Sequence, residues 1–391
     1  MLGAIIGDIV GSFYEVEEVQ AIKKNHDKKR TYEDRITILN KTTPLFTDNC
    51  SYTDDTVLTC SIAHALIEPQ TFEKSLRKYG LKEIELGKDK YGRSRFGKGF
   101  VSWLKDAKIG DSYGNGASMR ISPIAYFYDD LDIILEKTKE ATIPSHNNEE
   151  AIIGAQAVST AIFLSRNNYS QQEIKQELER RFNYSFEFNI EDLQHNYRFS
   201  SRTIDSVPQA IFCFLESTSF EDCLRKSISI GGDTDTIAAI SCSIAESFFG
   251  IPEDIKQKAL EYLPIEYKKE LIKFYSILYL KQQLLDLNIC HDEFWEYMRN
   301  RTKRISTSID NGIWGAFTKN DKEGRIIDIK ILVPEIIDEQ TMLINIHEYA
   351  HAYELYLELG NVFTINKKSS EEYAISKEKE YLTKKKVYEQ S

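Results

Sequence analysis

The chain has no run approaching eighteen uninterrupted apolar residues, which excludes a helix that spans a bilayer. Its six cysteines contain no Cys-x-x-Cys pair, so neither a zinc ribbon nor a disulfide framework is written into it and a reducing compartment is expected. Positive charge is also short: 50 Lys and Arg stand against 61 Asp and Glu, a net charge of -11. Binding to a phosphate backbone needs clustered cations, so nucleic acid is not expected as a partner, except as a modified acceptor. An acidic excess suits carboxylate clusters that hold metal ions. The apolar start, Met1 to Phe13, lacks a basic leader and carries Asp8. It reads as a buried first helix of a cytoplasmic protein, not as a signal peptide.

What is present is an ordinary globular composition, 41% hydrophobic and 28% charged, over 391 residues. At roughly 150 residues per domain that length suggests two or three domains. From residue 1 to about 265 apolar residues recur at three- and four-residue spacing, which predicts an all-α domain over 1–265. Gly3, Gly7 and Gly11 fall on one helical face where another backbone can approach. Ser170 with Glu173, and Ser219 with Asp222, mark helix starts, and Pro252 and Pro264 bracket the last helix of this part. Beyond a boundary near 265–275 the texture changes. Residues 266–304 read as two helices, 313–318 and 325–333 as two strands about the turn at 319–324, and 340–358 and 370–386 as two more helices. This predicts a small α+β domain over 270–391.

Two acidic motifs open small-residue-rich helices: Thr53-Asp54-Asp55-Thr56 and Gly231-Gly232-Asp233-Thr234-Asp235-Thr236. N-capping is the plain structural explanation, since Thr and Asp satisfy free amides there. It does not explain why carboxylates are doubled in both places, where they repel one another. Hard oxygen donors with no His or Cys beside them select Mg²⁺, Mn²⁺ or Ca²⁺, and a carboxylate from each motif can bridge two ions. Such a two-metal site orients hydroxyl-bearing substrates and polarises water, which is chemistry on a sugar or a phosphate.

Several separated motifs in order resemble the ADP-ribosylglycohydrolase family, the dinitrogenase-reductase-activating glycohydrolase type of helical hydrolase. They are Gly7 to Glu15, Tyr52 to Thr56, Ser112-Tyr113-Gly114-Asn115-Gly116, Ser145-His146 with Gly154-Ala155, Ser206-Val207-Pro208 leading into a helix, and Gly231 to Thr236. The resemblance implies two Mg²⁺ ions on Thr53, Asp54, Asp55, Asp233, Asp235 and Thr236. It also implies cleavage of the bond to C1 of the distal ribose of an ADP-ribosyl group on a protein or other acceptor. Gly11-Ser12-Phe13-Tyr14-Glu15 is similar to the branch that removes ADP-ribose from serine and from polymers.

Residue chemistry is consistent with that reading. Glycoside cleavage needs an acid for the leaving group and an activated water, usually from two carboxyl groups. Glu15 is the candidate mobile carboxylate, and a metal-bound Asp55 or Asp235 would handle the water. Asp8, seven residues before Glu15, shares its helical face and is better suited to holding the site by hydrogen bonds. The Gly-rich turn Ser112–Gly116 can offer amides to a diphosphate, and Tyr113 can offer a stacking face to adenine, with simple turn packing as the alternative. His146 can contact the diphosphate or a ribose, or serve as a helix cap. Phe96-Gly97-Lys98-Gly99 resembles a family loop beside the ribose, with Lys98 a departure from it.

A second chemistry is written near the C-terminus. His347-Glu348-Tyr349-Ala350-His351 is an H-E-x-x-H sequence, which on a helix sets two imidazoles one turn apart with Glu348 placed as a base. Leu343, Ile346, Ala350, Tyr353 and Leu357 form a buried stripe, leaving both histidines on its flank. Catalytic zinc commonly takes His₂Glu plus water. Glu371, in Glu371-Glu372-Tyr373-Ala374, resembles the third ligand of glutamate-type zincin peptidases, although Ile375 stands where an acidic or amide residue usually follows. Two surface histidines on an amphipathic helix are the alternative. The whole chain is thus expected to be an Mg²⁺-dependent ADP-ribosyl hydrolase joined to a zinc-binding, zincin-like domain with a peptide substrate. Two alternatives stand beside it: a zinc peptidase whose first domain only binds ADP-ribosylated targets, and a non-catalytic binding or immunity protein.

Overall fold

A computed structural model describes residues 1–23, 31–68, 70–88, 92, 94–106, 108–299, 301–305, 314–323, 325–336, 338–359 and 367–390. The chain divides into two compact units, one of residues 1–65 and 71–271, the other of residues 66–70 and 272–391.

The first unit is helical, with no named strand among its described residues. It opens with α1 (Leu2–Lys23), α2 (Tyr32–Thr37), α3 (Asp54–Ile67) and α4 (Phe72–Leu86). There follow α5 (Lys98–Lys105), α6 (Ser122–Phe127), α7 (Leu131–Thr142) and α8 (Glu149–Arg166). The unit continues through α9 (Gln171–Phe182), α10 (Ile190–Asn196), α11 (Thr203–Leu215), α12 (Phe220–Ser229), α13 (Thr234–Phe249) and α14 (Glu253–Glu261). Local signals start several of these helices. Ser170 and Glu173 form a reciprocal capping box on α9, and the Ser219 side chain accepts from the Asp222 amide at the head of α12.

The core is built on α1 against α13. Every residue from Thr234 to Ala245 is buried, as expected of a helix surrounded on all sides by others. The three glycines of α1 make the approach possible. A Cβ at Gly7 would fall 2.2 Å from the Ala238 carbonyl oxygen, and one at Gly3 equally close to that of Cys242. Thr234 Oγ1 donates to the Gly11 carbonyl at 2.8 Å, and the Met1 ammonium meets Glu246 at 2.6 Å, so the two helices run antiparallel in fixed register. Ser206-Val207-Pro208 does not precede a helix but lies inside α11, which begins at Thr203. Pro208 thus stands in the second turn of α11, where it forgoes one intrahelical hydrogen bond.

In the second unit, α15 (Ile265–Asp286), which begins in the first, is followed by α16 (Asp292–Arg299), β1 (Thr302–Ile305), β2 (Gly315–Asn320), β3 (Ile326–Pro334), α17 (Glu339–Leu357) and α18 (Lys367–Gln390). The sheet order is β1-β3-β2, with β1 parallel and β2 antiparallel to β3. The helix expected to reach residue 304 stops at Arg299, because Thr302–Ile305 pair with Ile331–Pro334 instead. Residues 313 and 324 of the expected strand and turn lie outside the described residues. Along β3, Ile326, Ile329, Ile331 and Val333 are buried, and α17 covers the sheet with Met342, Ile346, Tyr349 and Ala350. Tyr349 stacks on Trp295 with ring centres 5.6 Å apart. The buried stripe of α17 is therefore rotated from the one expected, and Leu357 is 61% exposed.

Among the described residues, no helix is long and apolar enough to cross a membrane. All six cysteines are buried, and none is in a disulfide.

Candidate active site and metal centres

Both acidic motifs stand at helix N-termini facing one cavity of about 780 Å³ in the first unit. Its walls include Glu15 from α1, Thr53, Asp54 and Asp55 at the head of α3, and Asp233, Asp235 and Thr236 at the head of α13. Ser112, Gly114, Asn115, Gly116 and His146 also line it; Tyr113 does not, being 54% exposed beneath the Arg202 guanidinium, 5.2 Å from its ring centre. Capping does not account for the second motif. Asp233 occupies the N-cap of α13 without a side-chain hydrogen bond to the helix. Gly231 and Gly232 precede it with φ of +76° and +79°, a left-handed pair that a side chain would strain.

Asp8 fastens the first motif to α1. Its carboxylate accepts from the amides of Thr53 (2.9 Å) and Thr56 (3.0 Å) and from both their hydroxyls, Thr53 Oγ1 at 2.7 Å. Burial still pushes its pKa up against these four bonds. With its hydrogen given to Asp8, the Thr53 hydroxyl keeps lone pairs for a cation. Asn115 does similar work on the opposite motif, donating from Nδ2 to Asp233 Oδ2 at 2.8 Å.

Two sets of carboxylates come within 4.8 Å of one another, Asp8 with Asp55 and Asp235, and Glu15 with Asp233 and Asp235. Such crowding in a buried place is unfavourable to the ionised forms. Burial first, then neighbouring carboxylates, raises Asp54 to about 8 and Asp233 to about 7, and drives Asp55 and Asp235 well above their ordinary range. Asp55 Oδ1 is buried without a hydrogen-bond partner among the described residues. An orphaned carboxylate oxygen within a ring of hard oxygen donors fits Mg²⁺.

The Ser112–Gly116 turn has less to offer an anion than expected, because its amides are partly engaged. Gly114 donates to Ser112 Oγ and Asn115 to the Ser201 carbonyl at 2.9 Å. His146 is a buried wall residue. Burial and the nearby Arg120 hold its pKa well below the ordinary value, so the ring is neutral. Arg120 went unnoticed in the sequence. Fully buried in the cavity wall, it donates to Ser145 Oγ at 2.7 Å, while Nε and Nη1 have no partner among the described residues. Burial lowers its pKa to about 9. The available signal was an arginine within the otherwise apolar stretch Met119-Arg120-Ile121. Arg95 is a second missed wall residue, its guanidinium 4.1 Å from the Tyr52 ring centre and its Nε 2.9 Å from Glu83.

In the second unit, His347 and His351 project from one side of α17 with Nε2 atoms 3.1 Å apart. Glu371 of α18 approaches both, at 3.5 Å from His347 and 3.4 Å from His351. These three residues can offer one ligand atom each to a common ion. Glu348 is 9% exposed, its pKa raised by burial, and accepts from the Ala316 amide of β2. Two imidazoles and a carboxylate in this arrangement fit zinc.

Helices enclosing one acid-lined cavity belong here to a glycohydrolase enzyme. More particularly, the chain belongs to the ADP-ribosylglycohydrolase family, whose model matches residues 1–287. It is 26% identical over 281 residues to an uncharacterised protein of Archaeoglobus fulgidus, covering 65% of this chain and 88% of that protein. It is 24% identical over 329 residues to the human protein named ADP-ribosylhydrolase ARH3, covering 67% of this chain and 88% of the relative. A solved structure described as an ADP-ribosylglycohydrolase-related protein complex aligns at a TM-score of 0.46 and 17% identity, over 67% of this chain and 95% of its own.

Proposed function

We propose that the first unit removes ADP-ribose from a modified protein or other acceptor by hydrolysing the bond to C1 of the distal ribose. The observation that carries this is the meeting of Asp55, Asp233, Asp235 and Glu15 from three separate helices in one cavity of a family member. Held by Thr53, Asp54, Asp55, Asp233, Asp235 and Thr236, two Mg²⁺ ions would polarise ribose hydroxyls and lower the pKa of a water. Asp55 or Asp235, both on the cavity wall, would take the proton of the attacking water. Glu15, on the cavity wall, can meet the departing acceptor oxygen or nitrogen. Asp8 and Asn115 hold the two ligand segments in place. Neutral His146 and cationic Arg120, with the Ser112–Gly116 turn, suit the diphosphate end of the substrate.

The test is a panel of differently linked ADP-ribosyl peptides assayed with Mg²⁺ and with chelator. Release of free ADP-ribose should require Mg²⁺ and fall by roughly three orders of magnitude in Asp55→Asn and Asp235→Asn, the several kcal/mol that a metal contributes to a transition state. Full activity in either variant would exclude this site.

A second reading concerns residues 270–391, which we take as a domain separate from 1–265. The close approach of His347, His351 and Glu371 beside Glu348 favours a zinc ion held by the first three, with Glu348 as the base of a peptidase-like hydrolysis. Buried cysteines that form no disulfide suit a cytoplasmic setting for both.

A further inference from the structure

An imidazole binds a metal through one nitrogen when the other carries the proton, and the partner of that other nitrogen fixes the choice. His347 Nδ1 lies 2.7 Å from Glu378 Oε1 on α18. An ionised carboxylate only accepts, so the proton belongs on Nδ1 and the Nε2 lone pair faces His351 and Glu371. His351 Nδ1 lies 2.8 Å from Ser370 Oγ, and that hydroxyl donates its own hydrogen to Glu354 Oε2 at 2.6 Å. Once committed to Glu354, Ser370 can only accept from His351, which puts this proton on Nδ1 as well. Both Nε2 lone pairs then converge on the space in front of Glu371.

We propose that Glu378, together with the Ser370–Glu354 pair, forms the positioning shell of a zinc site on His347, His351 and Glu371, with Glu378 supplying the carboxylate that position 375 lacks. The inference rests on the zinc reading of the second unit given above. Glu378 follows Glu371 by seven positions, which is two turns of α18 and therefore one face. The ligand and the supporting carboxylate thus reach α17 from the same side, one at the Nε2 atoms and the other behind His347. A support displaced by one turn does the work of the residue that Ile375 replaces. The plain alternative is an ordinary half-exposed ion pair between Glu378 and His347, whose loss would leave metal affinity unchanged.

The two alternatives separate in zinc titrations of the full chain against a chromophoric chelator, with cobalt(II) absorption as a spectroscopic readout. The unaltered chain should bind about one zinc. Glu378→Ala should weaken it about 10–100-fold and alter the cobalt ligand-field bands, the usual consequence of removing a second partner from a ligating histidine. Glu378→Gln keeps an acceptor oxygen at the same reach and should recover most of the affinity that Glu378→Ala loses, whereas the ion-pair alternative expects all three chains to bind alike. Ser370→Ala should weaken binding in the same sense through His351, and serves where Glu378→Ala does not fold. Binding by Glu378→Ala or Ser370→Ala as tight as by the unaltered chain overturns the positioning role alone. An unaltered chain that takes up no zinc overturns the metal reading with it.

Discussion

Asp54, Asp55, Asp233 and Asp235 set a condition on the protein before any substrate arrives. Without cations they hold protons up to about neutral pH, since burial and mutual repulsion push Asp233 up to about 7 and Asp54 to about 8, whereas an unfolded chain releases the same protons near the ordinary carboxyl value of 3.8. Between those limits the folded state binds more protons than the unfolded one, so stability falls as pH rises through the window. On the proposed reading Mg²⁺ would replace the protons, and its benefit should grow in the same direction. Thermal melts with saturating Mg²⁺ should show a rise of about 5 °C or more at pH 8, from about 2.7 kcal/mol at a hundredfold excess over Kd. At pH 5.5 the rise should be much smaller. An equal shift at both values would mean that these carboxylates are not the ligands. The acidic doubling was visible in the sequence because the residues are adjacent. Arg120 and Glu378 were not, since a lone arginine in an apolar run and one glutamate on a charged helix acquire meaning only from their neighbours in space.

Among the elements, α1 and α13 carry the strictest requirement. Their backbones approach so closely that Gly7→Ala would drive a methyl group into the Ala238 carbonyl, within the fully buried stretch Thr234–Ala245 of α13. A loss of about 3 kcal/mol is expected, the upper end for overpacking, seen as a fall of roughly 6–12 °C in Tm. Gly97→Ala, at a position where a Cβ meets nothing within 4 Å, provides the comparison and should change Tm little. A chain that tolerates Gly7→Ala in α1 as well as it tolerates Gly97→Ala at the head of α5 would contradict the packing described. The glycine spacing and the Ser170–Glu173 cap could be read from sequence because both act within a turn or two. β1 could not: Thr302-Lys303-Arg304-Ile305 is too short to show alternation, and its pairing partner lies about thirty residues away. The stripe on α17 was misjudged because tyrosines and alanines fit either side of a helix, and only the sheet beneath decides which side is covered.

For the whole molecule, the two units place different donor chemistries in one chain, oxygen alone in the first and imidazole with carboxylate in the second. Hard and softer ions should sort between them accordingly. Hydrogen exchange followed by mass spectrometry should show Mg²⁺ slowing exchange at 53–60 and 231–240, and Zn²⁺ slowing it at 345–356 and 369–380. Protection of the same peptides by both ions would contradict the division of labour. Helical periodicity revealed the architecture of the first unit, whereas the second depends on pairings between distant segments that no local pattern announces.

The first helix touches both halves of the acidic cage: Asp8 grips residues 53 and 56, and the backbone at Gly7 and Gly11 seats residues 234–238. Two stretches of sequence some 180 residues apart are thereby gauged against one common ruler. A small drift of that ruler carries both ligand sets along and preserves their separation, while an equal drift of α3 or α13 alone opens or closes the gap. Tolerance to change in this enzyme should thus depend less on distance from the acidic cluster than on which side of the ruler a substitution disturbs.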